Sequence, residues 1–179
     1  MLNLEKSIFQ SDNSFNIPQM KRINYIDDAN DIEWIPFNYA LSTKDRDKKG
    51  VHFLTHDYQF ERVWNSPDRY INLLRSYKYV LSPDFSLYTD LPLALQIYNE
   101  YRDMWLGRYW QGRGINVIPS VSWSDEQSFE WSFDGIAKHS VIAISSVGCL
   151  KNKEYRAKFL KGVERQLKQY SQFRFYGME

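Results

Sequence analysis

One long helical pattern set between short apolar runs constrains this chain more than any other feature. Leu91–Gln111 carries Ala94, Ile97, Tyr98, Tyr101 and Trp105 at helical spacing, between the strand-like runs Tyr79–Leu81 and Ile115–Val121. Asp90 is placed to cap this helix, and Gly112 and Gly114 to end it. The order repeats downstream, where the apolar run Val141–Ser145 is followed by a helical pattern over Asn152–Gln169. Strands alternating with helices of this length build parallel β-α-β units with right-handed crossovers. The expected fold is therefore α/β, one domain with a mostly parallel sheet of about five or six strands flanked by helices.

The 179 residues suffice for one domain with a sizeable core. A closed eight-fold barrel needs roughly 200 residues or more, so an open or partial sheet is expected. Residues 1–33 read as an irregular lead-in. Residues 34–56 read as a hairpin-like extension, with a strand in Glu33–Ala40, a charged tip over Ser42–Gly50 and a second strand at Val51–Thr55. The β-α-β core then runs over residues 57–179. Within it, Phe60–Tyr77 is helical with a break at Pro67, and the run Phe173–Tyr176 closes the chain as a strand.

No apolar run approaches the roughly 20 residues of a bilayer span, and Met1–Gln10 lacks a basic segment followed by an apolar one. The single cysteine, Cys149, cannot form an internal disulfide. A cytoplasmic protein without membrane attachment is expected.

Charge is segregated along the chain. Residues 151–179 hold eight Lys or Arg against three Glu, a local +5, which leaves −4 for residues 1–150. On the last helix Lys158, Lys161, Arg165 and Lys168 recur opposite Phe159 and Val163, an expected exposed basic stripe. Aromatic residues make up 17%, and several are interleaved with Arg and Lys, as around Arg108 and Arg113. Rings stack unpaired bases while cations meet phosphates, so the pattern suits single-stranded RNA; packing with snorkelling basic side chains is the alternative.

In parallel sheets the functional crevice lies beyond the carboxyl ends of the strands. Those ends lead into Ser82-Pro83-Asp84, Ser122-Trp123-Ser124-Asp125 and Ser145-Ser146, and they are expected to converge on one rim. Asp84 and Asp125 are the candidate catalytic carboxylates, able to divide acid and base work or to hold a divalent metal such as Mg²⁺; turn capping is the alternative. His56, four residues after His52, and His139 are candidate acid or base residues, or lone surface histidines. Trp123 is a candidate stacking platform. No serine-hydrolase elbow precedes Ser145, and Gly112-Arg113-Gly114 sits before a strand instead of after one, which excludes a phosphate-cradling loop.

Three segments together resemble a family of phages, prophages and mobile elements known as domain of unknown function 4417. They are Val80–Ser86, Tyr109–Trp123 and Phe133–Gly148, within a likeness that spans about residues 78–177. Asp84, Ser86, Trp123, Asp134 and Gly135 are the matched positions. The resemblance implies an accessory role in phage or mobile-element biology, including suppression of host defence. The leading expectation is an anti-defence protein that binds RNA or a host ribonucleoprotein nuclease, as a type II CRISPR inhibitor would, with ribonuclease-like processing of the RNA left open. The rivals are a small-molecule hydrolase built on the Asp84 and Asp125 rim, and a steric protein inhibitor without chemistry.

Overall fold

The computed structural model describes residues 6–26, 31–146, 149 and 152–169, with side chains through Arg165. The short strands β1 (Glu33–Pro36) and β2 (Lys49–His52) come first, followed by the helices α1 (Glu61–Asn65) and α2 (Ile71–Arg75). Next come β3 (Tyr79–Leu81), α3 (Leu93–Gln111), β4 (Val117–Ile118), β5 (Ser120–Val121), β6 (Ala143–Ile144) and α4 (Lys153–Gln169). Every pairing among the described residues is parallel. β1 to β4 form one sheet in chain order, and β5 pairs with β6 in a second. Pro119, which has no N–H to give a ladder, separates β4 from β5, as its position within Ile115–Val121 suggests. Because all pairings are parallel and β5 follows β4 across the single residue Pro119, residues just beyond β2, β3, β5 and β6 come to one cavity.

The expected hairpin is corrected. Glu33 to Pro36 pair in parallel with Lys49 to His52, so residues 37–48 are a crossover and not a hairpin tip. Gly50 belongs to the strand: a Cβ there would lie 2.4 Å from the Trp34 ring, so glycine is needed for the two strands to approach. The Tyr77 hydroxyl donates to the Ala40 carbonyl (2.6 Å) and fastens the crossover to the end of α2. The described part of the lead-in belongs to the core: Ile17, Met20 and Ile26 are buried. Met20 N–H donates to the Gly135 carbonyl (2.9 Å), and Val141 N–H to the Ile23 carbonyl (2.8 Å).

Pro67 interrupts the helical region after α1, as expected, and a 3₁₀ turn over Pro67–Tyr70 links it to α2. α3 differs in two respects. Its N-cap is Pro92, not Asp90. Its buried face also differs from the expected stripe: Ala94 and Tyr98 are exposed, whereas Gln96, Asn99, Glu100 and Asp103 are buried. On α4, Val163 is buried and Phe159 half-buried, while Tyr155 and Leu160 are exposed. The expected strand at Phe173–Tyr176 and the side chain of Lys168 lie outside the described residues. Among the described residues no helix is long and apolar enough to cross a membrane.

Candidate functional site

A cavity of about 910 Å³ opens at the carboxyl ends of β2, β3, β5 and β6, the place where a parallel sheet offers one. Asp84, Ser122, Trp123 and Ser145 line it, so three of the expected strand ends do converge.

The loop after β3 is held rigidly from beneath. Phe85 is fully buried, and its N–H donates to both carboxyl oxygens of Asp103 (3.0 and 3.1 Å). Ser86 donates its N–H (3.1 Å) and its hydroxyl (2.8 Å) to Asp57, while its carbonyl accepts from Asn99 Nδ2 (2.8 Å). Arg102 lies 3.6 Å above the Phe85 ring and donates to Glu61 (2.8 Å) and to Asn99 Oδ1 (2.6 Å). The bonds to Asp57 and between Arg102 and Glu61 are charge-assisted, roughly twice as strong as neutral ones, so together with the Asp103 and Asn99 contacts they hold the loop that carries Asp84 in a fixed pose.

Burial pushes the Asp84 carboxyl up to about 6; a hydrogen bond from the Ser122 hydroxyl opposes the shift and the nearby Asp57 adds to it. Below the loop lies a second layer of acid. Glu100 is 2% exposed, and its Oε1 has no hydrogen-bond partner. Burial, with Asp84 and Asp134 nearby, raises its carboxyl well above the usual range. Asp103, one turn further along α3, is raised likewise by burial, Glu100 and Asp84, against the Phe85 N–H and Arg102. Ser120 lines the cavity, is 6% exposed and has a hydroxyl without a partner.

One wall is aromatic. Trp123 stacks on Phe159 of α4 (5.6 Å between centroids, 23° between planes), and its indole N–H donates to the Lys158 carbonyl (3.2 Å). Gly162 makes this contact feasible, because a Cβ there would lie 2.0 Å from the Trp123 ring. Tyr155 and Lys158 continue the wall, and Lys158 is the one Lys or Arg that lines the cavity among the described residues. Lys158 pairs with Glu154 (2.9 Å) and Lys161 with Glu126, both at the surface, and Arg165 is exposed.

The remaining candidates are dispersed. Asp125 does not line the cavity; its Oδ1 accepts from the N–H groups of Gln127 (3.0 Å) and Ser128 (3.2 Å), the turn-capping alternative. His56 is exposed at the mouth, stacked against Tyr58, while His52 is buried and pushed down to about 4 by desolvation. His139 precedes β6 and so sits toward the amino ends of the strands; its carbonyl accepts from Arg22 Nε (3.2 Å). Arg108 stacks over Phe9, and Arg113 over Tyr109 beside Asp68, near the far end of α3 from Gln96. Among the described residues no three His, Cys, Asp or Glu side chains converge to ligate one ion.

Sequence reasoning missed Asp57, Asn99, Glu100 and Asp103. A signal for three of them was present: Gln96, Asn99, Glu100 and Asp103 recur at i, i+3, i+4 and i+7, one face of a helix.

A family model described as Domain of unknown function (DUF4417) matches residues 9–172. The match reaches well upstream of residue 78, where the resemblance read from sequence begins. Two relatives carry the name Gene 1 protein. The one from Mycobacterium phage D29 is 34% identical over 171 residues, covering 92% of this chain and 60% of that protein. The one from Mycobacterium phage L5 is 36% identical over 164 residues, covering 91% of this chain and 70% of that protein. The chain thus spans less than two thirds of the D29 relative's length. No solved structure matches.

Proposed function

The chain belongs to the DUF4417 family, which has phage-encoded relatives, and from that premise we propose that it is a phage or mobile-element protein that binds single-stranded RNA. One unpaired nucleotide enters the cleft base first. The observation that carries this reading is the separation of charge within one cavity. Its lining holds the carboxyls of Asp84 and Asp90 and several hydroxyls, its wall holds aromatic rings, and half-buried Lys158 stands on α4 at the start of a basic series continued by the exposed Lys161 and Arg165. A phosphate is repelled by the carboxyls and attracted by α4, whereas a base finds donors, acceptors and ring faces inside. The guide RNA of a host ribonucleoprotein nuclease is the substrate class that suits an anti-defence role.

The test is a salt titration of binding to a short unstructured RNA. Affinity should fall with salt along a log-log slope of about −0.7 per phosphate neutralised. The triple variant Lys158→Glu, Lys161→Glu, Arg165→Glu should lose at least about tenfold in affinity and flatten that slope. A salt-independent affinity, or an unchanged triple variant, overturns the reading.

A second reading replaces the base-first pose by one that brings a phosphodiester to Asp84 and has the strand cut there; it is favoured by the Asp84 carboxyl standing near 6, where it exchanges a proton close to neutral pH. It requires shorter products with the parent protein and none with Asp84→Asn at equal occupancy of RNA. Intact RNA after saturation with the parent removes it.

A further inference from the structure

Resting on the RNA reading, the geometry points to guanine as the base that this cleft selects, held through its N1–H and N2–H by Asp84 and through O6 by the Ser120 hydroxyl. The polar side chains of the cavity are restricted in kind. Besides His56, the tyrosines and Lys158 they are serine and threonine hydroxyls and two carboxyls, Asp84 half-buried and Asp90 exposed; among the described residues no Asn, Gln or Arg lines the cavity. An ionised carboxylate offers acceptors only, on two oxygens side by side. The base edge that matches it is one with two adjacent donors.

Guanine alone among the four RNA bases presents that pair on its Watson–Crick edge, followed by the O6 acceptor. Adenine and cytosine place a ring acceptor beside their amine, and uracil places a carbonyl on each side of its N–H; each would set an acceptor against the carboxylate. The bond from Ser122 uses part of the Asp84 capacity and leaves lone pairs for two further donors. The hydroxyl needed for O6 is Ser120 Oγ: Ser120 lines the cavity, and its unpartnered hydroxyl, closed to solvent in the ligand-free chain, reaches a base by rotation about its own χ1. Ser120 and Ser122 are two residues apart at β5 and therefore project from the same side of an extended chain, with Ser120 the deeper. A buried hydroxyl without a partner costs stability, and a ligand oxygen that pairs with it recovers that cost.

Equilibrium binding of GMP, AMP, CMP, UMP and xanthosine monophosphate, and of oligouridine with and without one central guanosine, tests this on the full chain. The parent protein should bind GMP and the guanosine-containing strand about tenfold tighter than their competitors. Asp84→Asn replaces two acceptors by one acceptor and one donor, so it should lose the guanine preference and favour xanthine, whose N1–H lies beside a carbonyl. Ser120→Ala, a variant that removes only the unpartnered hydroxyl, should weaken GMP severalfold while leaving the other nucleotides unchanged.

Equal affinity for all bases with RNA still bound overturns guanine selection and spares the RNA reading. Retention of guanine preference by Asp84→Asn overturns the assignment to Asp84. GMP bound with the expected variant pattern, but no RNA bound, supports the guanine pocket and overturns the RNA reading in favour of a free guanine nucleotide. Failure of RNA and every nucleotide to bind overturns both.

Discussion

Trp110→Ala is expected to destabilise the fold by about 3–5 kcal/mol, a large share of the roughly 5–15 kcal/mol that holds a domain of this kind together. Trp110 is fully buried on α3 and stacks on Phe53 (5.8 Å, 23°), just beyond β2. Phe53 in turn stacks on Phe37 (4.9 Å) and meets Phe60 edge-on (5.5 Å). The indole N–H donates to the Pro67 carbonyl (3.3 Å), at the break between α1 and α2. Removing the indole therefore opens a void where the sheet, α3 and the α1 to α2 turn meet, and leaves a carbonyl without its donor. Urea denaturation of the parent, Trp110→Ala and Trp110→Phe measures this. The phenylalanine variant keeps most of the stacking and should lose markedly less. A loss below about 1 kcal/mol for the alanine variant would mean that this stack is not the centre of the core.

The stack also accounts for the 17% aromatic content. None of the six tryptophans is exposed, and the exposed rings are mainly tyrosines, including Tyr58, Tyr88 and Tyr155. Of these, Tyr88 and Tyr155 line the cleft, and Tyr58 stacks on the cleft residue His56. Among the described residues most rings thus lie in an interior lattice and a minority at the surface, two of them on the cleft, a division that composition alone could not give.

The alternation of strands and helices was legible because it depends on local pattern, and so was the convergence of Asp84, Trp123 and Ser145, because parallel strands place their carboxyl ends together. The direction of β1 against β2 was not. Both arrangements put a charged connection between two apolar runs, and the choice is made by distant contacts such as Tyr77 with Ala40. The polar face of α3 was hidden for a different reason. Much of that helix is buried on several sides, so apolar residues lie around its circumference and the aromatic spacing competes with the polar spacing. Asp125 illustrates the opposite error: its place after a strand suggests chemistry, while its neighbours Gln127 and Ser128 claim it as a turn acceptor.

Stability should fall as pH rises from about 4 toward 8 through the acid layer beneath the cleft, and Glu100→Gln should remove part of that fall. Near pH 4 the carboxyls are largely protonated in the folded state. As pH rises, the unfolded chain gives up these protons near the ordinary carboxylate values of about 4, while the folded chain retains them because its pKa values are raised. For Asp84 the loss runs from there to about 6. For Glu100 and Asp103, which are raised well above their ordinary values by burial first, it continues higher. Other carboxylates titrate in the same range, and buried His52, pushed down to about 4, adds stability as pH rises over it, so the informative quantity is the difference between Glu100→Gln and the parent. That difference should be near zero at pH 4 and should favour the glutamine variant by about 1–3 kcal/mol at pH 8, the size of the cost of burying a polar group that lacks a partner. A glutamine variant that is less stable than the parent at pH 8 would mean that the Glu100 carboxylate is held by a cation. Buried carboxyls that weaken the fold at neutral pH are the kind of group that folding alone would replace by amides. Their place directly under Asp84 ties that weakness to the cleft: with Glu100 neutral, Asp84 loses a like-charged neighbour and its own carboxyl becomes easier to ionise.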